Sequence, residues 1–240
     1  MTTKSLPTSK TRLLECMRTL NTELILAGLD AKPELLAYRD DKGRNWLHLC
    51  AGVNASDKHG VEPADAIPLA KGLIDRGLDV HEPAFTEDSW QATPLWFAVS
   101  RGRNIELVRF LLGAGASPEH CIWAAAFEED IEMLRLLVDA GASLEVIAEN
   151  EPPLLGAVKY SKFEAAKFLL EAGADPDFRD IHGMTALHYM LKKGSDSRHF
   201  DMFVDHGARG DIANPDGKTA REILLRKRGP GFHRIADALQ

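Results

Sequence analysis

Nine histidines, three cysteines and one run of carboxylates are the residues of this 240-residue chain with the chemistry for catalysis or metal binding. A structural metal needs His or Cys ligands at close, paired spacing. Cys16, Cys50 and Cys121 stand far apart, form no C-x-x-C pair and are odd in number, so neither a zinc site nor a disulfide framework is expected. They read as small apolar residues of a reducing compartment. Glu128-Glu129-Asp130 offers the oxygen ligands a divalent cation takes, but it falls where a turn between two helices is expected, which suits solvated charge. The histidines are dispersed, and no glycine-rich phosphate loop, H-E-x-x-H or G-x-S-x-G string occurs. An enzyme needs a preorganised acid, base or nucleophile. The sequence offers no such constellation, so no catalytic residue, metal or cofactor is expected.

Composition narrows the classes further. Hydrophobic residues are 45% and charged residues 27%, the balance of a globular chain. The formal net charge of −7 argues against a surface that binds nucleic acid by neutralising phosphates, and fits a basic protein partner. The polar, basic N-terminus is followed by no apolar stretch of signal-peptide type, and no run approaches the ~20 apolar residues that cross a bilayer. A cytoplasmic protein without membrane contact is the expectation.

The strongest signal is internal repetition. NIELVRFLLGAGA ends at Gly115-Ala116, DIEMLRLLVDAGA at Gly141-Ala142, FEAAKFLLEAGAD near Gly173-Ala174 and FDMFVDHGA at Gly207-Ala208, with a looser copy ending at Gly77. The glycines are 38, 26, 32 and 34 residues apart. Leu107, Val108, Leu111 and Leu112 make one apolar stripe of a helix, and the glycine after it suits a left-handed C-cap. A second, inner helix precedes each copy. It starts at Asn45-Trp46-Leu47-His48, Thr93-Pro94-Leu95-Trp96 or Thr185-Ala186-Leu187-His188, where Asn or Thr caps the helix and Pro94 fits its first position. Trp46, Trp96 and Trp123 fall at these helix starts and are expected to be packing residues. His48 and His188 are expected to bond the backbone of the adjacent loop.

These strings resemble ankyrin repeats, most clearly in Asp180-Ile181-His182-Gly183-Met184-Thr185-Ala186-Leu187-His188, and the resemblance covers roughly residues 35 to 240. It implies an all-α ankyrin-repeat solenoid of stacked helix-turn-helix units with short β-hairpin-like fingers, about six repeats including divergent caps. The expected division is a helical cap over 1–34, repeats over 35–211 and a C-terminal capping repeat over 212–240. The first clear repeat spans 29 positions from His48 to Gly77 where Leu155 to Gly173 spans 18, placing an 11-residue insertion near 53–63. Too few residues remain at 117–122 for a full finger. Thr219-Ala220-Arg221-Glu222 has capping-box spacing, and a helix is expected over Phe232 to Leu239. Arg226-Lys227-Arg228 reads as the solvated face of that cap. Thr11 to Ala27 and Lys32 to Leu36 also read as helical.

In the family the binding surface consists of finger tips and the exposed end of each inner helix, facing a concave groove. Carried over, the finger positions are Asp41, Lys42 and Arg44; Ser89, Trp90 and Gln91; Ile181, His182 and Met184; and Pro215, Asp216 and Lys218. The inner-helix positions are Ser100 and Arg101, Phe127 and Glu128, Lys159 and Tyr160, and Lys192 and Lys193. Trp90, Phe127 and Tyr160 stand out because large aromatics dominate interfaces. The implied function is a non-enzymatic adaptor or scaffold, monomeric on its own, that binds a partner protein. The alternative is an inhibitor or immunity-type protein that occludes the active site of a toxin or enzyme.

Overall fold

In the computed structural model, which describes residues 6–55, 61–85, 91–148 and 150–239, the repeat glycines explain the spacing of the whole chain. Gly77, Gly115, Gly141, Gly173 and Gly207 all hold φ between 73° and 97°. A Cβ on Gly77, Gly115, Gly141 or Gly173 would meet nothing within 4 Å, so backbone conformation and not space demands glycine there. The following residue turns its N–H back onto the last helical turn: Ala116 to Leu111, Ala142 to Leu137, Ala174 to Leu169 and Ala208 to Phe203.

The chain forms two compact units, Met1–Cys121 and Ile122–Gln240. The first contains α1 (Lys10–Met17) and α2 (Thr22–Ala31), a 3₁₀ turn over Pro33–Ala37, then α3 (Trp46–Ala51) and α4 (Ala66–Asp75). Strands β1 (Ala84–Phe85) and β2 (Gln91–Ala92) pair antiparallel, with Phe85 opposite Gln91. Then α5 (Pro94–Phe97) runs into a single π turn over Ala98–Gly102, and α6 (Ile105–Gly113) follows. Helix α7 (Cys121–Glu128) leads into the second unit, with α8 (Ile131–Asp139), α9 (Pro153–Lys159), α10 (Phe163–Glu171), α11 (Ala186–Lys193), α12 (Arg198–Asp205), α13 (Ala220–Arg226) and α14 (Pro230–Ala238). Among the described residues the helices thus fall into seven pairs.

Five of the pairs are joined by a turn through a left-handed residue: Leu20, Arg103, Glu129, Ser161 and Gly194. The residue after the turn caps the outer helix in three pairs, through the side chains of Asn21, Asn104 and Asp130. Leu20 is also why the helix expected over 11–27 is two helices: its φ of 47° breaks the chain and Asn21 restarts it. Lys32 to Leu36, expected to be helical, is largely a 3₁₀ turn started by Pro33. The apolar stripe behaves as the spacing dictates, with Leu107, Val108 and Leu111 fully buried and Leu112 at the margin. Met133, Leu134 and Leu137 of α8 repeat the pattern, and Leu169 and Phe203 continue it.

Irregularities sit in the connections. Between Gly115 and α7 there is only a turn, closed by Cys121 N–H on Pro118 O with His120 left-handed. The insertion leaves α3 at Ala51 and re-enters through a 3₁₀ turn at Pro63–Asp65; its residues 56–60 lie outside the described residues. At the C-terminal end the capping box forms, Thr219 Oγ1 accepting from Glu222 N–H and Glu222 Oε2 from Thr219 N–H. No helix among the described residues is long and apolar enough to cross a membrane.

Candidate binding surface

Three fingers are built on one local device. Asp40 accepts backbone N–H bonds from Lys42 and Arg44 at 3.0 and 2.8 Å. Asp180 accepts from His182 and Met184, both at 2.9 Å, and Asn214 from Asp216 and Lys218 at 3.1 and 3.0 Å. In each finger the third residue after the Asp or Asn is a glycine with positive φ: Gly43, Gly183 and Gly217. The side-chain oxygen thus replaces a strand partner and holds a five-residue hairpin rigid. Burial opposes ionisation of Asp40 and Asp180, but the hydrogen bonds they accept win, and both carboxyls titrate below their usual value. An Asp/Asn-x-x-Gly string marks all three fingers, a sequence signal that went unread.

Histidines then fasten inner helices to the next segment. His48 Nε2 lies 2.9 Å from Glu82 O, and His188 Nε2 lies 3.3 Å from Lys218 O. A carbonyl only accepts, so Nε2 carries the proton, leaving Nδ1 to accept from the cap residue, Asn45 N–H or Thr185 N–H. Burial keeps both rings neutral; it lowers His48 to about 4 and His188 in the same direction. The backbone-bonding role expected of these two residues is the one they have.

Among the described residues, fingers and inner helices line a groove in each unit. The groove of unit 1, about 220 Å³, is lined by Lys42, Arg44, His48, Leu49, Gly52, Phe85, Trp96, Phe97 and Arg101. The groove of unit 2, about 610 Å³, is lined by His182, Met184, His188, Tyr189, Leu191, Lys192, Asn214, Pro215, Asp216 and Ile223. Lys42, Arg44 and Arg101 thus share one groove, and His182, Met184, Lys192 and Asp216 the other. Ile181 stands at the tip of its finger, 81% exposed, the most exposed large hydrophobic side chain among the described residues. Asp41 and Gln91 are exposed on their fingers without lining a groove, and so is Lys218, whose backbone carbonyl holds His188. Ser89 and Trp90 lie outside the described residues.

Phe127 and Tyr160 meet each other, ring centroids 4.9 Å apart and nearly perpendicular, and Trp123 stacks on Phe127 at 5.5 Å. Lys162 caps this cluster, its Nζ 5.8 Å from the Phe127 centroid. Glu128 is half-exposed at the end of the same helix. Lys159 departs from the expectation of a free contact residue. Its ammonium lies 2.5 Å from Glu151 and 3.4 Å from Asp180, 4.4 Å from the Tyr189 ring centroid, while Tyr189 donates its hydroxyl to Asp180. Glu151 and Asp180 are buried, so the lysine neutralises carboxylates that would otherwise be stranded. Of the tryptophans expected to pack, Trp46 is fully buried with its indole N–H on Leu35 O, while Trp96, edge-on to Phe97, and Trp123, stacked on Phe127, are half-buried.

Phe85, Trp96, Tyr189 and Ile223 belong to the grooves without having been singled out for them. Tyr189 was within reach: it lies three residues before Lys192 on the same helical face. Phe85 required knowing the β1–β2 register. Elsewhere Cys50 and Cys121 are buried, which pushes both thiols up, Cys50 to about 12, so neither is a thiolate nucleophile near neutral pH. Among the described residues no group of His, Cys, Asp and Glu has the arrangement of a metal site.

Comparison with known proteins follows the same lines. Residues 95–180 match the family described as ankyrin repeats (3 copies). The ankyrin repeat domain of Bcl-3 superposes with a TM-score of 0.73 at 18% identity, covering 94% of this chain and 97% of that one. The human ASB11 ankyrin repeat domain gives 0.66 at 23% identity, covering 91% and 98%. An ankyrin repeat domain from Acinetobacter baumannii AYE gives 0.63 at 22%, covering 84% and 100%. In sequence the chain is 29% identical over 190 residues to the phosphocholine transferase AnkX of Legionella pneumophila, across 71% of this chain and 20% of that protein. It is 26% identical over 219 residues to the glycerophosphocholine phosphodiesterase gde1 of Schizosaccharomyces pombe, across 86% and 18%. The matches span about a fifth of the length of these relatives.

Proposed function

We propose, from the match of residues 95–180 to ankyrin repeats and the fold shared with ankyrin repeat domains, that this chain is a protein-interaction adaptor that holds a partner protein at its finger-and-inner-helix grooves. The observation that carries this reading is the groove of unit 2 with Ile181 standing on its rim. A large apolar side chain held that far into water by a rigid hairpin gains most by burial against another molecule. The two relatives named as enzymes are several times longer, and their activities are said of those whole proteins; we read the segment shared with them as a binding part. Three free cysteines, two of them buried, suit a reducing cytoplasm.

The test is affinity capture with the whole chain as bait, followed by titration of the captured protein. Ile181→Ala with Met184→Ala should weaken its binding by about 1–4 kcal/mol while leaving Tm within a few degrees of wild type. Equal capture by wild type and the double variant would remove the groove from the interface. If the captured partner is an enzyme whose turnover stops on binding, the role is that of an inhibitor and not an adaptor.

A further inference from the structure

We propose that the groove of unit 2 receives an acidic segment of the partner, one in which carboxylates flank an apolar side chain; this rests on the binding role proposed above. The floor sets the apolar requirement, since Met184, Leu191, Tyr189 and Ile223 line it. The rim sets the sign of charge. Asp180 and Glu151 are spent on Lys159, and Lys193 donates to Lys159 O and Ser161 Oγ at 2.6 Å, closing the end of α9. Glu222 is held by its capping box. That leaves Lys192, which lines the groove, and Lys218, which does not line it but follows the lining residues Asn214, Pro215 and Asp216 on their finger. Both are exposed and neither is in an ion pair among the described residues, against the one lining carboxylate, Asp216.

The rest of unit 2 has the opposite sign. Along its outer helices and the loops after them exposed carboxylates outnumber cations, with Glu132, Asp139, Glu145, Glu171, Asp175 and Asp205 among them. Counted with Lys218 on the adjoining finger, the groove and its rim hold two cations outside ion pairs against one carboxylate, on a chain of net charge −7. In unit 1, Lys42 and Arg101 line the groove together with Arg44, which is paired with Asp40 at 2.7 Å, and no carboxylate lines it among the described residues, so the same sign recurs there. Net charge therefore misleads about the partner: it averages the whole surface, whereas an approaching segment senses the field of the groove it enters. The basic partner expected from composition is replaced by one that is acidic where it docks.

A displayed library of random peptides, selected on the intact protein, reads the preference directly. Selected peptides should be enriched in Asp and Glu beside Leu, Ile or Phe, and their affinity should fall as salt rises. Lys192→Glu with Lys218→Glu should weaken them roughly ten-fold or more, while Lys167→Glu on the outer helix α10 should leave them unchanged. Enrichment in Lys and Arg, no charge preference, or indifference to the Lys192/Lys218 pair would each overturn the proposal. A captured partner that depends on Ile181 and Met184 but not on these lysines would overturn it while leaving the binding role intact.

Discussion

The two grooves occupy the same place in their repeats, 140 residues apart, and differ at nearly every position that lines them. Lys42 answers to His182, Arg44 to Met184, Leu49 to Tyr189 and Gly52 to Lys192, while His48 and His188 are the same. In unit 1 Gly52 offers no side chain; a Cβ there would press on His48 O at 3.3 Å and make ordinary contact with Phe97 at 3.8 Å and Arg101 at 3.9 Å. Phe97 also meets His48 edge-on at 5.5 Å, and Arg44 lies 6.0 Å over its ring. The result is a narrow aromatic slot, whereas aliphatic side chains and Tyr189 line a wider trough in unit 2. Finger, cap and histidine are fixed by backbone bonding, so they repeat. The lining is free of that duty, and there the repeats carry different recognition chemistry on one frame.

If the frame is truly shared, the sharpest blow to it is the same in both units. Leu111 and Leu137 are fully buried at equivalent places, and alanine at either should cost about 2–5 kcal/mol in denaturant unfolding. A small effect at one of them would break the equivalence of the repeats. The histidine fastening comes next. The His48 pKa falls on folding, so the unfolded chain takes up the proton more readily: the stabilisation is complete above ~6.5 and is lost as pH falls from there toward about 4. With 1.36 kcal/mol per unit, about 3 kcal/mol goes with it. His188 acts with the same sign. Unfolding free energy measured between pH 7 and 4 should lose part of this slope in His48→Gln; an unchanged slope would mean the ring is not held neutral.

Two helix glycines separate backbone from side-chain packing. A Cβ on Gly102 would be driven into the carbonyl oxygen of Ala51, whereas on Gly156 it would meet the Trp123 indole nitrogen at 2.8 Å. A backbone carbonyl cannot step aside; the Trp123 indole is a side chain and can give somewhat, though its nitrogen is buried and its ring stacks on Phe127. Gly102→Ala should therefore cost about 1–3 kcal/mol. Gly156→Ala should be closer to neutral, because replacing an interior helix glycine returns up to ~1 kcal/mol of propensity. Melting curves of the two variants that coincide would refute the distinction.

Much of the frame was legible because it depends on local rules. Glycine spacing gave the outer-helix ends, Thr219 with Glu222 gave the last cap, and His48 and His188 stood where a ring reaches the next segment. The break at Leu20 was not legible, since a leucine with positive φ has no compositional mark. The grooves were legible by half. Finger and helix-end positions followed from the family resemblance, but Lys159 looked the same as Lys192 in sequence. Only the approach of Glu151 and Asp180, 8 and 21 residues away along the chain, turned one of them into an internal counter-ion.

The sequence alone determined the repeat, its helix ends and the residues offered to a partner, because caps, turns and apolar stripes depend on neighbours within a few residues. Tertiary structure decided which offered residues converge, which charges are already consumed, and hence the sign and width of each groove. Those properties are sums over side chains far apart in sequence. Ile181 was a finger residue in the sequence; the rigid Asp180 hairpin is what leaves it exposed beside a trough with a basic rim.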